Sequence, residues 1–74
     1  MKKVNIEGKE YYFYMEDIMK ERGISINQVM RDTNTDFKIV KKYMTGNLIR
    51  LDLFVLARFC NYFNCSIKDI VEYK

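Results

Sequence analysis

Two rhythms of apolar side chains run along this chain. From residue 15 onward they recur three and four positions apart, as the buried stripe of an amphipathic helix does. Before that they come as two short blocks, Val4-Asn5-Ile6 and Tyr11-Tyr12-Phe13, around Glu7-Gly8-Lys9-Glu10. A glycine-containing turn between two such blocks predicts a β-hairpin extension over residues 1–13. A hairpin is marginal alone, so its aromatics are expected to pack on a helical body or on a second subunit. The other use open to the Tyr11–Tyr14 cluster is stacking on single-stranded bases.

The helical part carries clear start and stop signals. Met15, Ile18 and Met19 mark helix 1 over 14–23, with Glu16 and Asp17 in its first turn, Lys20 and Arg22 in its last, and Gly23 as a left-handed stop. Helix 2, over 26–33, opens on Ser25 and Gln28, whose side chains can each satisfy the other's backbone N–H, while Ile24 and Val29 can close a hydrophobic staple. Asn34 tolerates a left-handed conformation. Asp36 then caps helix 3, over 36–45, and Gly46 ends it. Two helices joined by three or four residues have the length of a helix-turn-helix. Helix 4, over 52–63, is apolar nearly all round, which places it at the centre of the core or half beneath a second subunit. Ser66 and Asp69 open helix 5, over 66–73, with Ile70, Val71 and Tyr73 facing inward. The expectation is one all-α domain over 1–74, five helices following a short β-hairpin.

Composition narrows the chemistry. Seventy-four residues make one domain, and 49% hydrophobic residues with eleven aromatics suffice for a core. Histidine is absent, and Cys60 and Cys65 do not form a CxxC pair, so a zinc site or a Cys/His nucleophile has no parts. No metal, cofactor, small-molecule ligand or enzymatic activity is expected. The cysteines read as reduced thiols in apolar surroundings. Met1-Lys2-Lys3 leads into polar residues and not into an apolar run, and no stretch nears the roughly 18–20 apolar residues of a membrane span. The expected setting is soluble and cytoplasmic, with no membrane partner.

Charge adds more once it is mapped. Residues 1–24 hold five basic and five acidic side chains, and residues 51–74 hold three of each. The whole excess of +3 therefore falls in 25–50, where Arg31, Lys38, Lys41, Lys42 and Arg50 face only Asp32 and Asp36. Such a segment is a solvated basic face or a docking site for a polyanion. At about 100° per residue from Phe37, Lys41, Lys38 and Lys42 fall at roughly 40°, 100° and 140°, while Ile39, Tyr43 and Val40 fall between roughly 200° and 300°. Helix 3 thus has a core side and a three-lysine side, with Phe37 and Met44 on the boundary. A major groove about 12 Å wide admits a helix of this kind.

Three stretches resemble the Cro and lambda-repressor-like helix-turn-helix family: Gly23-Ile24-Ser25-Ile26-Asn27-Gln28-Val29, then Thr45-Gly46-Asn47 with Arg50-Leu51-Asp52-Leu53, and then Leu56 through Ile70. The resemblance covers residues 15–73 and leaves the hairpin outside. It implies a five-helix fold in which helix 3 is the recognition helix, with base-reading positions at Phe37, Lys38, Lys41 and Lys42. It also implies that Ile26 and Asn27 meet a phosphate at the start of helix 2, and that Asn47 and Arg50 hold the flanking DNA backbone. Phe37 stands where the family usually has a polar base reader, and it can touch a thymine methyl or fold back on the protein. Met30 stands where a small residue is usual, and Asp36 brings a carboxylate towards the groove. The resulting expectation is a sequence-specific regulator of double-stranded DNA, a repressor of phage or mobile-element type acting as a homodimer, with helix 5 or the hairpin as the dimer surface. The alternative is a protein-interaction module, an antitoxin or an inhibitor, that keeps the fold and reassigns the DNA face.

Overall fold

Four of the five helices end on a residue with positive φ, and these stops divide the chain. The computed structural model describes residues 1–74. Their order is β1 (Lys2–Ile6), β2 (Lys9–Phe13), α1 (Met15–Arg22), α2 (Ile26–Thr33), α3 (Phe37–Thr45), α4 (Leu53–Phe63), α5 (Ile67–Ile70) and β3 (Val71–Tyr73). Gly23, Asn34, Gly46 and Asn64 are the left-handed residues that close α1 to α4. Starts are equally local. The Ser25 hydroxyl accepts from the Gln28 N–H at 3.2 Å while the Gln28 side chain accepts from the Ser25 N–H at 3.3 Å. Asp36 caps α3, and Asp52 caps α4 by accepting from the Phe54 and Val55 amides.

The core forms where the helical stripes meet. Met15 and Met19 of α1, Val29 of α2, Val40 and Tyr43 of α3, Leu56, Phe59 and Phe63 of α4, and Ile70 of α5 are all buried. Tyr43 and Phe59 pack edge to face, with ring centroids 5.3 Å apart. Helix α4 is buried on one side only, since Leu53 and Phe54 in its first turn are exposed. Cys60 and Cys65 are free and half-buried, and desolvation pushes both thiols up, away from reactive thiolate. No helix is long and apolar enough to cross a membrane.

The fold is not all-α. The expected helix 5 over 66–73 stops at Ile70, and Val71–Tyr73 turns into a third strand on the hairpin. Strand order is β1-β2-β3, antiparallel throughout, with Phe13, Tyr12 and Tyr11 opposite Val71, Glu72 and Tyr73. The reason is an unpaired edge. A lone hairpin leaves the outer backbone groups of β2 without partners, and β3 together with the Tyr14 N–H to Ile70 C=O bond (2.8 Å) and the Lys74 N–H to Glu10 C=O bond (3.0 Å) completes that edge. The hairpin turn is two residues, Glu7 and Gly8, both at positive φ, which matches the twist of the strands it joins.

Alternation gives this sheet two unlike faces. Val4, Phe13, Tyr11, Val71 and Tyr73 share one face by register, and that face lies on the end of α3, where Phe13 and Val4 close over Gly46. On the other face the Tyr12 hydroxyl donates to Glu10 (2.7 Å) and the Tyr14 hydroxyl to Glu72 (2.8 Å), with Lys3 and Lys74 beside the two carboxylates. These phenol bonds, and secondarily the lysines, hold both carboxyls below the usual carboxylate range, and the same bonds raise the two phenols.

Two outcomes follow for the sheet. A Cβ at Gly46 would lie 2.7 Å from both Phe13 and Val4, at φ +78, whereas one at Gly23 meets nothing within 4 Å. Gly46→Ala should therefore cost about 2–4 kcal/mol by combining overpacking with left-handed strain, and Gly23→Ala only about 1–2 kcal/mol, as urea unfolding would measure. Carboxyls with lowered pKa stabilise the fold above the ordinary carboxylate range and lose that contribution as pH falls through the lowered values. Raised phenols do the reverse on the alkaline side. The β2 and β3 chemical shifts should accordingly report loosening below about pH 4 and above about pH 10. A Glu10→Gln/Glu72→Gln double variant should flatten the acid limb.

Candidate nucleic-acid interface

The back of α3 is fixed before its front is considered. Val40, Tyr43 and Met44 are buried and Ile39 is half-buried, so the core side deduced from helical angles is the core side observed, with Met44 falling inside the boundary. The Tyr43 hydroxyl accepts from the Asp52 N–H at 3.0 Å and donates to the Asp52 C=O at 3.2 Å. One side chain of α3 thereby holds the far end of the 46–52 loop.

The front presents Lys38, Lys41 and Lys42, all exposed. The five ion pairs of the chain lie elsewhere, so none of the three is held by an acid of its own subunit. Asp36 is occupied as the α3 cap, accepting from the Ile39 N–H at 3.0 Å. Phe37 is half-exposed and stays outside the core. Met30 is half-buried against the core, so its bulk is accommodated where α2 meets α3.

The remaining site residues divide into two groups. Asn47 and Arg50 are exposed in the loop after α3, and with Lys42 they line one concavity of about 510 Å³ at the C-terminal end of that helix. Asn27 lines a second, adjoining concavity of about 660 Å³ with Asp36 and Arg58. Ile26 is half-buried. The Ile26 and Asn27 N–H groups belong to the first turn, where no carbonyl of α2 can accept from them. The capping box spends the Gln28 N–H and leaves these two free.

Several positioning residues escaped the sequence pattern. Between α2 and α3, the Thr33 hydroxyl contacts the Val29 C=O at 2.6 Å and the Thr35 hydroxyl at 2.9 Å, and both threonines are buried. Arg58 of α4 donates to the Thr33 C=O and to the Thr35 hydroxyl, each at 3.3 Å. The helix-turn-helix is thus braced from α4 by a cation. The threonines on either side of Asn34 carried no distinguishing signal, because small polar residues are ordinary in turns.

A capped helix, a three-residue turn braced from beneath, and a second helix with an uncommitted basic front are now all in place. The family model of the Cro/C1-type helix-turn-helix DNA-binding domain matches residues 15–74. The chain belongs to that family. Within the Cro/C1-type match lie all five helices and β3, whereas β1 and β2 precede it. Comparison with curated proteins and with solved structures finds no match.

The Cro/C1-type front and its brace should separate in stability measurements. Lys38→Ala and Lys42→Ala should leave unfolding free energy within about 0.5 kcal/mol of the parent. Arg58→Ala should lower it by about 1 kcal/mol, through two lost hydrogen bonds from a partly exposed donor.

Proposed function

We propose that this DNA-binding regulator reads sequence in double-stranded DNA as a cytoplasmic repressor of phage or mobile-element type, working as a homodimer without a cofactor. The observation that carries the reading is the division of α3: three lysines free of intramolecular acids on one side, a locked core on the other. In this assignment Phe37, Lys38, Lys41 and Lys42 enter the major groove, the lysines donating to guanine edges or phosphates and Phe37 meeting a thymine methyl. The free N–H groups of Ile26 and Asn27 take a phosphate at the start of α2, where the helix dipole favours an anion. Asn47 and Arg50, gathered with Lys42 around one concavity, hold the flanking backbone.

Gel shifts over a salt series test the reading, with selection from a random duplex pool to find the operator. If about three phosphates are neutralised per subunit, affinity should fall with roughly the third power of salt concentration or more steeply. Lys38→Ala and Lys42→Ala should each weaken duplex binding. Absence of binding even at low salt rejects the DNA reading and leaves a protein-interaction module on the same fold.

A further inference from the structure

Residues 1–24 are neutral in sum, yet the sheet sorts its cations by face. On the face of the tyrosine network Lys3 is paired with Glu10 and Lys74 with Glu72, and the Lys74 ammonium also lies over the Tyr12 ring. Lys2 and Lys9 stand on the opposite face, across from Phe13 and Ile6 in register. Both are exposed, and neither is among the five ion pairs. This is the face that closes over Gly46 at the end of α3. Towards the hairpin turn it meets the loop after α3 in a groove of about 340 Å³, lined by Ile6 and Tyr11 from the sheet and by the exposed Ile49, Arg50 and Leu51 from the loop. Arg50 also borders the concavity of Lys42 and Asn47. Cations therefore follow one another from Lys42 through Arg50 to Lys9, whose side chain leaves the sheet beside that of Ile6, with the two Cβ atoms roughly 5 Å apart.

We propose that the β1–β2 hairpin is a second DNA contact, in which Lys9 binds a backbone phosphate beyond the one held by Arg50. The inference rests on the DNA reading above and extends it to a part of the chain that the Cro/C1-type match leaves out. Charge supports it first. Each strand of a duplex carries a phosphate per roughly 3.4 Å of axis, so cations set in succession meet a continuous row of anions. The sorting supports it next. Lysines serving only solubility have no reason to choose a face, but here those on the far face are neutralised and those on the α3 side are left free. Mounting is the third support. Val4 and Phe13 fasten the hairpin to the end of α3, and the Asn5 side chain accepts from the Gly8 N–H at 3.1 Å to hold the turn. Lys9 is thus placed relative to Arg50 by a paired strand and not by a loose arm. Glu7, exposed in the turn and outside every ion pair, opposes the phosphates and limits what the contact adds. A phosphate contact of this kind strengthens binding and reads no bases.

The test is fluorescence anisotropy of the full chain on a labelled mixed-sequence duplex over a salt series, for the parent and for Lys9→Gln, Glu7→Gln and Lys3→Gln. Lys9→Gln should weaken binding several-fold and lower the slope of log affinity against log salt by about one, as the loss of one phosphate contact requires. Glu7→Gln should tighten binding, a gain that a merely structural hairpin would not supply. Lys3→Gln removes the same charge from the other face and should keep the parent's slope. All three positions are exposed, so the far-UV circular dichroism spectra should match the parent's; where Lys9→Gln loosens the hairpin, Glu7→Gln decides the matter. A parent that binds duplex while Lys9→Gln and Glu7→Gln keep its affinity and slope overturns the proposal and leaves α3 as the DNA contact. So does a Lys3→Gln variant that weakens binding as much as Lys9→Gln, since net charge alone would then be acting. A parent that binds no duplex even at low salt rejects the DNA reading and this contact with it.

Discussion

Most of what this molecule presents to a partner depends on one phenol. Tyr43 lies with its ring on Phe59 in the core, and its hydroxyl holds both backbone groups of Asp52. Aromatic packing sets the rotation of α3 about its axis, and the two hydrogen bonds set where α4 begins. The rotation turns Lys38, Lys41 and Lys42 outward, and the start of α4 determines the path of the 46–52 loop with Asn47, Arg50 and the exposed Ile49. Burial pushes the Tyr43 phenol up, so it remains a donor across ordinary pH and both bonds persist.

A second constraint acts from the opposite end of the same loop. Gly46 must be glycine twice over, for its positive φ and for the space that Phe13 and Val4 occupy above it. The sheet is therefore part of the mounting of α3 and not an appendage. Its two faces divide the work: one seals the end of the helix, and the other carries a network of phenols, carboxylates and lysines.

The helices were legible in the sequence because their boundaries are decided within four or five residues. Capping by Ser25–Gln28 and by Asp36, and the stops at Gly23, Asn34 and Gly46, are local chemistry, and local chemistry survives folding unchanged. The sides of α3 were legible for the same reason, since periodicity alone separates Val40 and Tyr43 from the lysines. The third strand was not. Ile70, Val71 and Tyr73 fit the inward spacing of a helix, while Val71 and Tyr73 equally fit one face of a strand, and only a β2 edge some sixty residues away chooses between them. The same limit hid Arg58, whose role depends on a turn in another part of the chain, and it hid the apolar surface. A run such as Leu53-Phe54-Val55-Leu56 reads as uniform core until packing shows that only its second half is enclosed.

The order of assembly follows from where the pairing partners lie. Helices α1 to α4 follow one another in the chain, whereas β2 must wait for β3 from the far end of the domain, and closing so long a loop is slow relative to forming adjacent helices. During biosynthesis the helical body can thus condense while the hairpin still lacks its third strand. The cover over Gly46 is made first and fastened last: Val4 and Phe13 precede α3 in the chain, but the outer edge of β2 stays unpaired until Val71–Tyr73 has been made. A nascent domain would thus hold the segment bearing Asn47 and Arg50 firmly at Asp52 before it holds it firmly at Gly46.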